Sequence, residues 1–481
     1  MKKRLSTLIL GVLIVTLMLS FSACQKTEYV ATFVADGQTV AERSFYKGDT
    51  TLSQVPYVPD KAGYTGEWES YTLGEENITV KAVYTAIEYT ATFMADNNVV
   101  KEVKFTVEDT EIEEPAVPEK AGYVNGMWED YKLKYEDFTV KAVYCKTVSS
   151  VDELKDMDPS GRYVLTCDLD LAGVDWTPIG SENTSKGFSG YFDGDGHVIS
   201  NLTIKGSPST GKIGLFSHIS GEVKNLGLEN VEITLSPEYG TYYAGALAAM
   251  SDDKAIVTNC YSTGRVAVSG SDAKVGGLVA DACGKYERCY SKASVSGELA
   301  GGLFGSCGAD VTNCYATGNV SAHSRYGTAG GLIGRIEGSN SNDSVDITNC
   351  YALGNVSANS SSTGGATAAA AGALVGDSMS NHNIENCFAI GSVSASTSGT
   401  RQGNGDRAEA GAIIGDSTVS VKNCYYPEGL TVTCSARQEY VSDEGTATDP
   451  ENLMSESFLK DTLKFSAEVW VFGTDYPTLK K

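Results

Sequence analysis

Residues 301–320 read Gly301-Gly302-Leu303-Phe304-Gly305-Ser306-Cys307-Gly308-Ala309-Asp310-Val311-Thr312-Asn313-Cys314-Tyr315-Ala316-Thr317-Gly318-Asn319-Val320. A glycine-rich apolar strand, an alternating strand ending in Asn-Cys-Tyr and a third strand near Val320 follow one another within twenty-odd residues. The pattern recurs. Val257 to Tyr261, Tyr286 to Tyr290, Ile347 to Tyr351, Ile384 to Phe388 and Val421 to Tyr425 repeat the middle strand, and Ile199 to Thr203 and Val223 to Gly227 match it without the cysteine. Gly276-Gly277-Leu278-Val279, Gly330-Gly331-Leu332-Ile333, Ala371 to Gly376 and Ala410 to Gly415 repeat the first. Three short strands in a unit of this length make one coil of a parallel β-solenoid. Eight such coils, stacked at the strand spacing, span roughly 40 Å.

Stacking places like residues above one another. Leu278, Leu303, Leu332, Leu374 and Ile413 form one inward ladder. Cys260, Cys289, Cys314, Cys350, Cys387 and Cys424 form a second, with gaps of 29, 25, 36, 37 and 37 residues by subtraction. One cysteine per coil and no CxxC pair point to small apolar core residues. Parallel side chains in register hold neighbouring thiols at a poor dihedral for a disulfide, so free thiols are expected. Asn201, Asn225, Asn259, Asn313, Asn349, Asn386 and Asn423 are expected to stack at a bend, where amides can bond along the ladder, with Arg288 as one interruption.

These motifs resemble the GLUG repeat family: Gly302 to Gly305 and Asn313 to Val320 follow its pattern almost position by position. Trp176 to Gly180, Phe188 to His197 and the terminal Trp470 with Tyr476 to Leu479 are similar to its usual ends. The resemblance covers about residues 148–480. It implies a right-handed parallel β-helix of the kind found in surface adhesins and some IgA-specific zinc metallopeptidases, and it implies no activity by itself.

Upstream lies a different tandem pair. Tyr29 to Phe33 matches Tyr89 to Phe93, Lys61 to Tyr64 matches Lys120 to Tyr123, Trp68 matches Trp128, and Thr79 to Tyr84 recurs at Thr139 to Tyr144. The pair resembles the Listeria–Bacteroides repeat, the B-repeat of internalins, which implies small β-grasp-like modules acting as stalks. Here Tyr84 and Tyr144 replace the family's final Trp, and Glu108 replaces a glycine. The domain reading is 1–23 signal peptide, 24–27 linker, 28–84 and 85–145 repeat modules, and 146–481 an all-β parallel β-helix with end caps.

The N-terminus carries Lys2, Lys3 and Arg4, then the apolar run Leu5 to Leu19, then Ser22-Ala23-Cys24. A charged start, an apolar core and small residues before a cut read as an export signal. Before a cysteine they resemble a bacterial lipobox, although Phe21 departs from it. The resemblance implies lipid on Cys24, a membrane partner reached through that anchor and a location on the outer face of the cell membrane. Two acyl chains are what stable anchoring needs.

Net charge is −24, and no Lys/Arg cluster follows the signal, which disfavours nucleic acid. No HExxH and no Gly-x-Ser-x-Gly occurs. Gly206 to Ile213 lacks the Ser or Thr of a phosphate loop, and Asp193-Gly194-Asp195-Gly196 departs from a calcium loop at His197, Val198 and Ile204. His197, His218, His323 and His382 share no spacing. No catalytic residue, metal site or cofactor is expected.

For binding, Tyr239, Tyr242 and Tyr243 gather aromatic surface in one segment. Inserts at 322–329, 358–371 and 395–410 leave one corner, as working faces of solenoids often do, or as tolerated slack. Ser150 to Glu153 reads as a capping box on a helix over the first coil. Ser455 to Phe465 is expected to cover the last. The function read from the sequence is adhesin-like display of a β-helix for a glycan, a host protein or another cell. A carbohydrate-active β-helix enzyme and a purely structural envelope component are the alternatives.

Overall fold

The computed structural model describes residues 26–480 except 181–186, 207, 209–210, 238, 271, 338–343, 363–366, 380–381, 400–405, 417–418 and 443. Cys24 lies outside the described residues. Two compact units form. One holds residues 26–118 with 127–143, the other 119–126 with 144–480.

In the first unit the strand Glu28–Ala35 forms a hairpin with Gln38–Tyr46, and Ile78–Ala86 returns parallel beside it. Alternation buries Ala31 and Phe33 on one face. The second copy repeats the geometry. Phe33 meets Trp68, and Phe93 meets Trp128, each at 4.9 Å and 68°. The indoles donate to Pro56 O at 2.7 Å and Pro115 O at 2.8 Å. These modules carry the parallel return of a grasp, and among the described residues its crossover contains no helix.

The second unit is the parallel β-helix. A representative coil has a first wall Leu299–Gly301, a second wall Phe304–Cys307, a third wall Asp310–Thr312, and a fourth wall built from Tyr315–Ala316 and Val320–Ser324. Each pairs in parallel with the equivalent strand of the next coil. A coil therefore has four walls where three strands were expected. The difference lies in the glycine motif, which is a corner between two strands. At Gly301 an added Cβ would collide with Phe304 O, and Gly330, Gly372 and Gly411 face the same obstruction. Leu278, Leu303, Leu332, Leu374 and Ile413 are fully buried at that corner.

The asparagine bend is a left-handed corner. Asn225, Asn259, Arg288, Asn313, Asn349, Asn386 and Asn423 all have φ between 50° and 56°, a region that asparagine tolerates better than most residues. Lys224↔Thr258, Thr258↔Glu287 and Glu287↔Thr312 fix the register. Asn201 does not belong to this ladder. Ser200 pairs with Glu229, so Asn201 stacks with Asn230, and the rung beside Asn225 follows Asp193. Among the described residues the array thus has seven such corners. Amide bonds along the ladder join Asn259 to Asn225 at 2.9 Å and Asn423 to Asn386 at 2.6 Å.

All six ladder cysteines are buried free thiols. Each Sγ–H donates to the carbonyl two residues back, as Cys350 does to Thr348 O at 3.1 Å. Sulfur also accepts from the preceding coil: Cys289 N reaches Cys314 Sγ at 3.3 Å, and Cys314 N reaches Cys350 Sγ at 3.4 Å. Cysteine thus fills the dry corner and accepts from backbone N–H groups of the preceding coil that Val would leave unpaired.

Val151–Lys155 is a helix capped by Ser150, and Leu154 and Met157 enter the solenoid core. The C-terminal segment does not cover the last coil. It runs back along the fourth wall as a strap. The rings of Tyr261, Tyr290, Tyr315, Tyr351 and Phe388 form a parallel stack at 4.6–4.8 Å. Leu459, Leu463, Phe465 and Trp470 bury the Tyr315, Tyr351 and Phe388 part of it. An aromatic ladder is a larger apolar target than the polar last coil, whose strand Gln438–Ser442 is mostly exposed.

The inserts are also not simple loops. Val356–Ser362 and Val393–Gly399 pair over their whole length, and Ala358, Ala371, Ala395 and Ala410 are buried. Residues 363–366 and 400–405 of these inserts lie outside the described residues.

Candidate functional site

The three tyrosines do not form one platform. Tyr242 and Tyr243 are neighbours in the strand Tyr242–Gly245, so they point to opposite faces. Tyr242 is 8% exposed and donates to Pro208 O at 3.1 Å, whereas Tyr239 is 89% exposed on the preceding turn. Only Tyr243 faces the surface that the structure builds into a groove.

That groove runs along the outside of the glycine corner, between the first and second walls. On the first wall, pairing aligns Tyr243, Lys274, Leu299, Thr328, Ala370 and Glu409. On the second it aligns Met250, Asp281, Ser306, Arg335 and Asp377. The tight corner brings these outward ladders together, because Lys274 Nζ reaches Asp281 at 3.3 Å across it. The cleft encloses about 530 Å³ and is also lined by Asp272, Glu298, Tyr326, Arg407 and Asp416.

The charges form chains. Lys274 contacts Glu337 at 3.0 Å, Arg335 contacts Asp377 at 2.7 Å and Glu337 at 3.6 Å, and Ser306 Oγ donates to Glu337 at 3.0 Å. Further along, Arg407 pairs closely with Glu409 and reaches Asp416 at 3.6 Å. Asp377 and Asp281 side chains are only 17% and 21% exposed. Burial alone would raise the pKa of Glu337, but Lys274, Ser306 and Arg335 outweigh it and hold the carboxyl below its ordinary value. Burial would lower Lys274, and Asp281 and Glu337 raise it instead. At the upstream end His218 stands 3.9 Å from Asp252, and burial with nearby Lys212 keeps its pKa below the ordinary value.

A groove of fixed, paired charges can offer hydrogen bonds in both senses without reorganising, which suits a ligand rich in hydroxyl groups. Glycoside hydrolysis needs one carboxyl kept protonated. Glu337 is held the other way. Among the described residues no group of three or more His, Cys, Asp or Glu is placed to hold a metal ion.

Sequence reasoning missed these residues, although a signal existed. Asp281, Ser306, Arg335, Asp377 and Asp416 each lie three places after a ladder Leu or Ile. Searching for a second carboxylate in phase overlooks a position that alternates between acid, base and hydroxyl.

No family model matches the chain. It is 29% identical to Halomucin of Haloquadratum walsbyi over 206 residues, which is 39% of this chain and 2% of that protein. It is 34% identical to Internalin H of Listeria monocytogenes over 117 residues, which is 22% of this chain and 20% of that protein. The chain thus spans a small part of either relative. A Bacteroides ovatus crystal structure described as a candidate immunoglobulin A1 protease superposes with a TM-score of 0.45 at 22% identity, covering 70% of this chain and 92% of that one. An IgA1 protease structure superposes at 0.32 and 15%, covering 88% and 29%.

Proposed function

We propose that the chain is an exported surface protein, lipid-anchored at Cys24, whose β-helix binds a glycan on a host or neighbouring cell through the groove between its first and second walls. The observation that carries this reading is the cleft of about 530 Å³ lined by Lys274, Arg335 and Asp377, which Glu337 joins into one chain of ion pairs. Partly buried charges are costly unless paired, and here they line an open cleft. The local likeness to Halomucin and Internalin H supports an extracellular repeat protein. The lipid anchor rests on the sequence of the first 24 residues.

The carbohydrate-active enzyme is the weaker reading, because Lys274, Ser306 and Arg335 outweigh burial at Glu337 and favour its anionic form. A glycan array probed with the full chain and read for both retention and cleavage tests the proposal. Retention without product supports display. Product formation moves the chain to the enzyme class, and silence on both counts leaves the structural-component reading. In cells, Cys24→Ala should shift the protein from the membrane fraction to the medium.

A further inference from the structure

The groove has a notch on one lip. Ala267 pairs with Ser296 and Lys274 with Leu299, so six residues join the fourth wall to the first in that coil and two in the next. Ser296 pairs with Ser321 and Leu299 with Thr328, so the following coil again uses six. A short corner therefore sits between two bulging ones. Its floor is Glu298. The carboxylate is tied to both lips: Oε2 accepts from Asp272 N at 2.9 Å and from Ser324 Oγ at 2.8 Å. Asp272 stands on one lip, and on the other Tyr326 is 47% exposed. All three line the cleft.

Among the described residues neither Asp272 nor Glu298 has a cationic partner, unlike Glu337 and Asp377, which are ion-paired. Arg325 lies 5.0 Å from the centre of the Tyr326 ring, so that ring already takes a cation against its face. Two carboxylates and an aromatic face around a notch match an ammonium group. The groove walls are internal strands whose backbone groups are used by adjacent coils, so a peptide could not add to them as a strand. Hydroxyls of Thr241 and Thr328 line the same cleft.

We infer that Glu298, Asp272 and Tyr326 form a subsite for the amine of a de-N-acetylated amino sugar within a polysaccharide. The inference rests on the groove being a glycan site and names the class of glycan.

The test measures binding of the full chain to a glucosamine hexamer, its fully N-acetylated form, an oligogalacturonate of the same length and hexalysine. The glucosamine hexamer should bind about tenfold or more tighter than the acetylated one. Glu298→Gln, which keeps the shape, and Tyr326→Ala, on the exposed lip, should each remove that preference without lowering Tm. Equal binding of the acetylated form, or tighter binding of the galacturonate, overturns the amine subsite while leaving the groove reading in place. Hexalysine binding as tightly as the sugar overturns it in favour of a peptide. Failure of all four, with another glycan retained on the array, overturns the subsite alone. Failure of all four with an empty array removes the groove reading as well.

Discussion

The indole N–H of Trp470 donates to Asn313 Oδ1 at 3.2 Å, joining residues 157 apart in the chain. Beside it Asn349 Nδ2 donates to Lys464 O at 3.2 Å, Asn423 Nδ2 donates to Thr462 O at 2.7 Å, and the Tyr351 hydroxyl donates to Pro477 O. The strap thus takes up amides of the asparagine ladder and ties the coils of Cys314, Cys350, Cys387 and Cys424 together from outside.

Trp470→Ala should cost about 3–5 kcal/mol, since it empties a fully buried site and leaves an amide oxygen unpaired. In a solenoid each coil contacts mainly its neighbours, so the loss should be local. Hydrogen exchange should rise in residues 311–427 and stay unchanged in the strands before 285. Uniform deprotection would contradict the strap's local role.

Arg288 is the one ladder corner without asparagine, yet it has φ 54°. A long side chain in that region is strained, so Arg288→Asn should stabilise the fold by about 0.5–1 kcal/mol, read as a raised Tm. The ion pair of Arg288 with Glu287, at 3.8 Å, is half exposed and contributes little. A lower Tm would show that the guanidinium does more than occupy a corner.

Burial pushes the thiols of Cys260, Cys314 and Cys387 well above their ordinary values. In the unfolded chain they ionise near pH 8.5. Above that pH the folded state binds more protons than the unfolded state, so stability is full below about pH 8.5 and falls as pH rises. Urea midpoints should drop from pH 8 to pH 10. Replacing these three cysteines with Ala should flatten that slope. Ellman titration of the unreduced chain should find few reactive thiols when folded and many in urea. Few in both would mean the ladder is disulfide-bonded.

The coil stack was legible because it is written in a repeated period: Leu303 and Cys314 recur in phase and are buried as expected. The corners were less legible. A Gly-Gly-Leu run suits a strand or a tight turn equally, and only the carbonyl of Phe304 over Gly301 decides it. Asn201 matches the motif locally, but pairing of Ser200 with Glu229 assigns it elsewhere. The strap could not be read, because an apolar stretch such as Leu459 to Phe465 fits any apolar surface within reach. The site was missed for a related reason. Tyr239, Tyr242 and Tyr243 look alike in sequence, and strand alternation separates them, whereas the groove is made by residues about thirty apart that only coil register brings together.

The central claim is that the groove, and not the exposed Tyr239 turn, holds the ligand. The direct measurement is the affinity of the array-selected glycan for three full-length proteins: the parent, the paired variant Arg335→Met with Asp377→Leu, and Tyr239→Ser. Removing both charges together avoids leaving one unpaired. The paired variant should keep the parent's Tm within a few degrees and lose about tenfold or more in affinity, while Tyr239→Ser binds like the parent. Parent-like binding by the paired variant, with loss in Tyr239→Ser, would contradict the account.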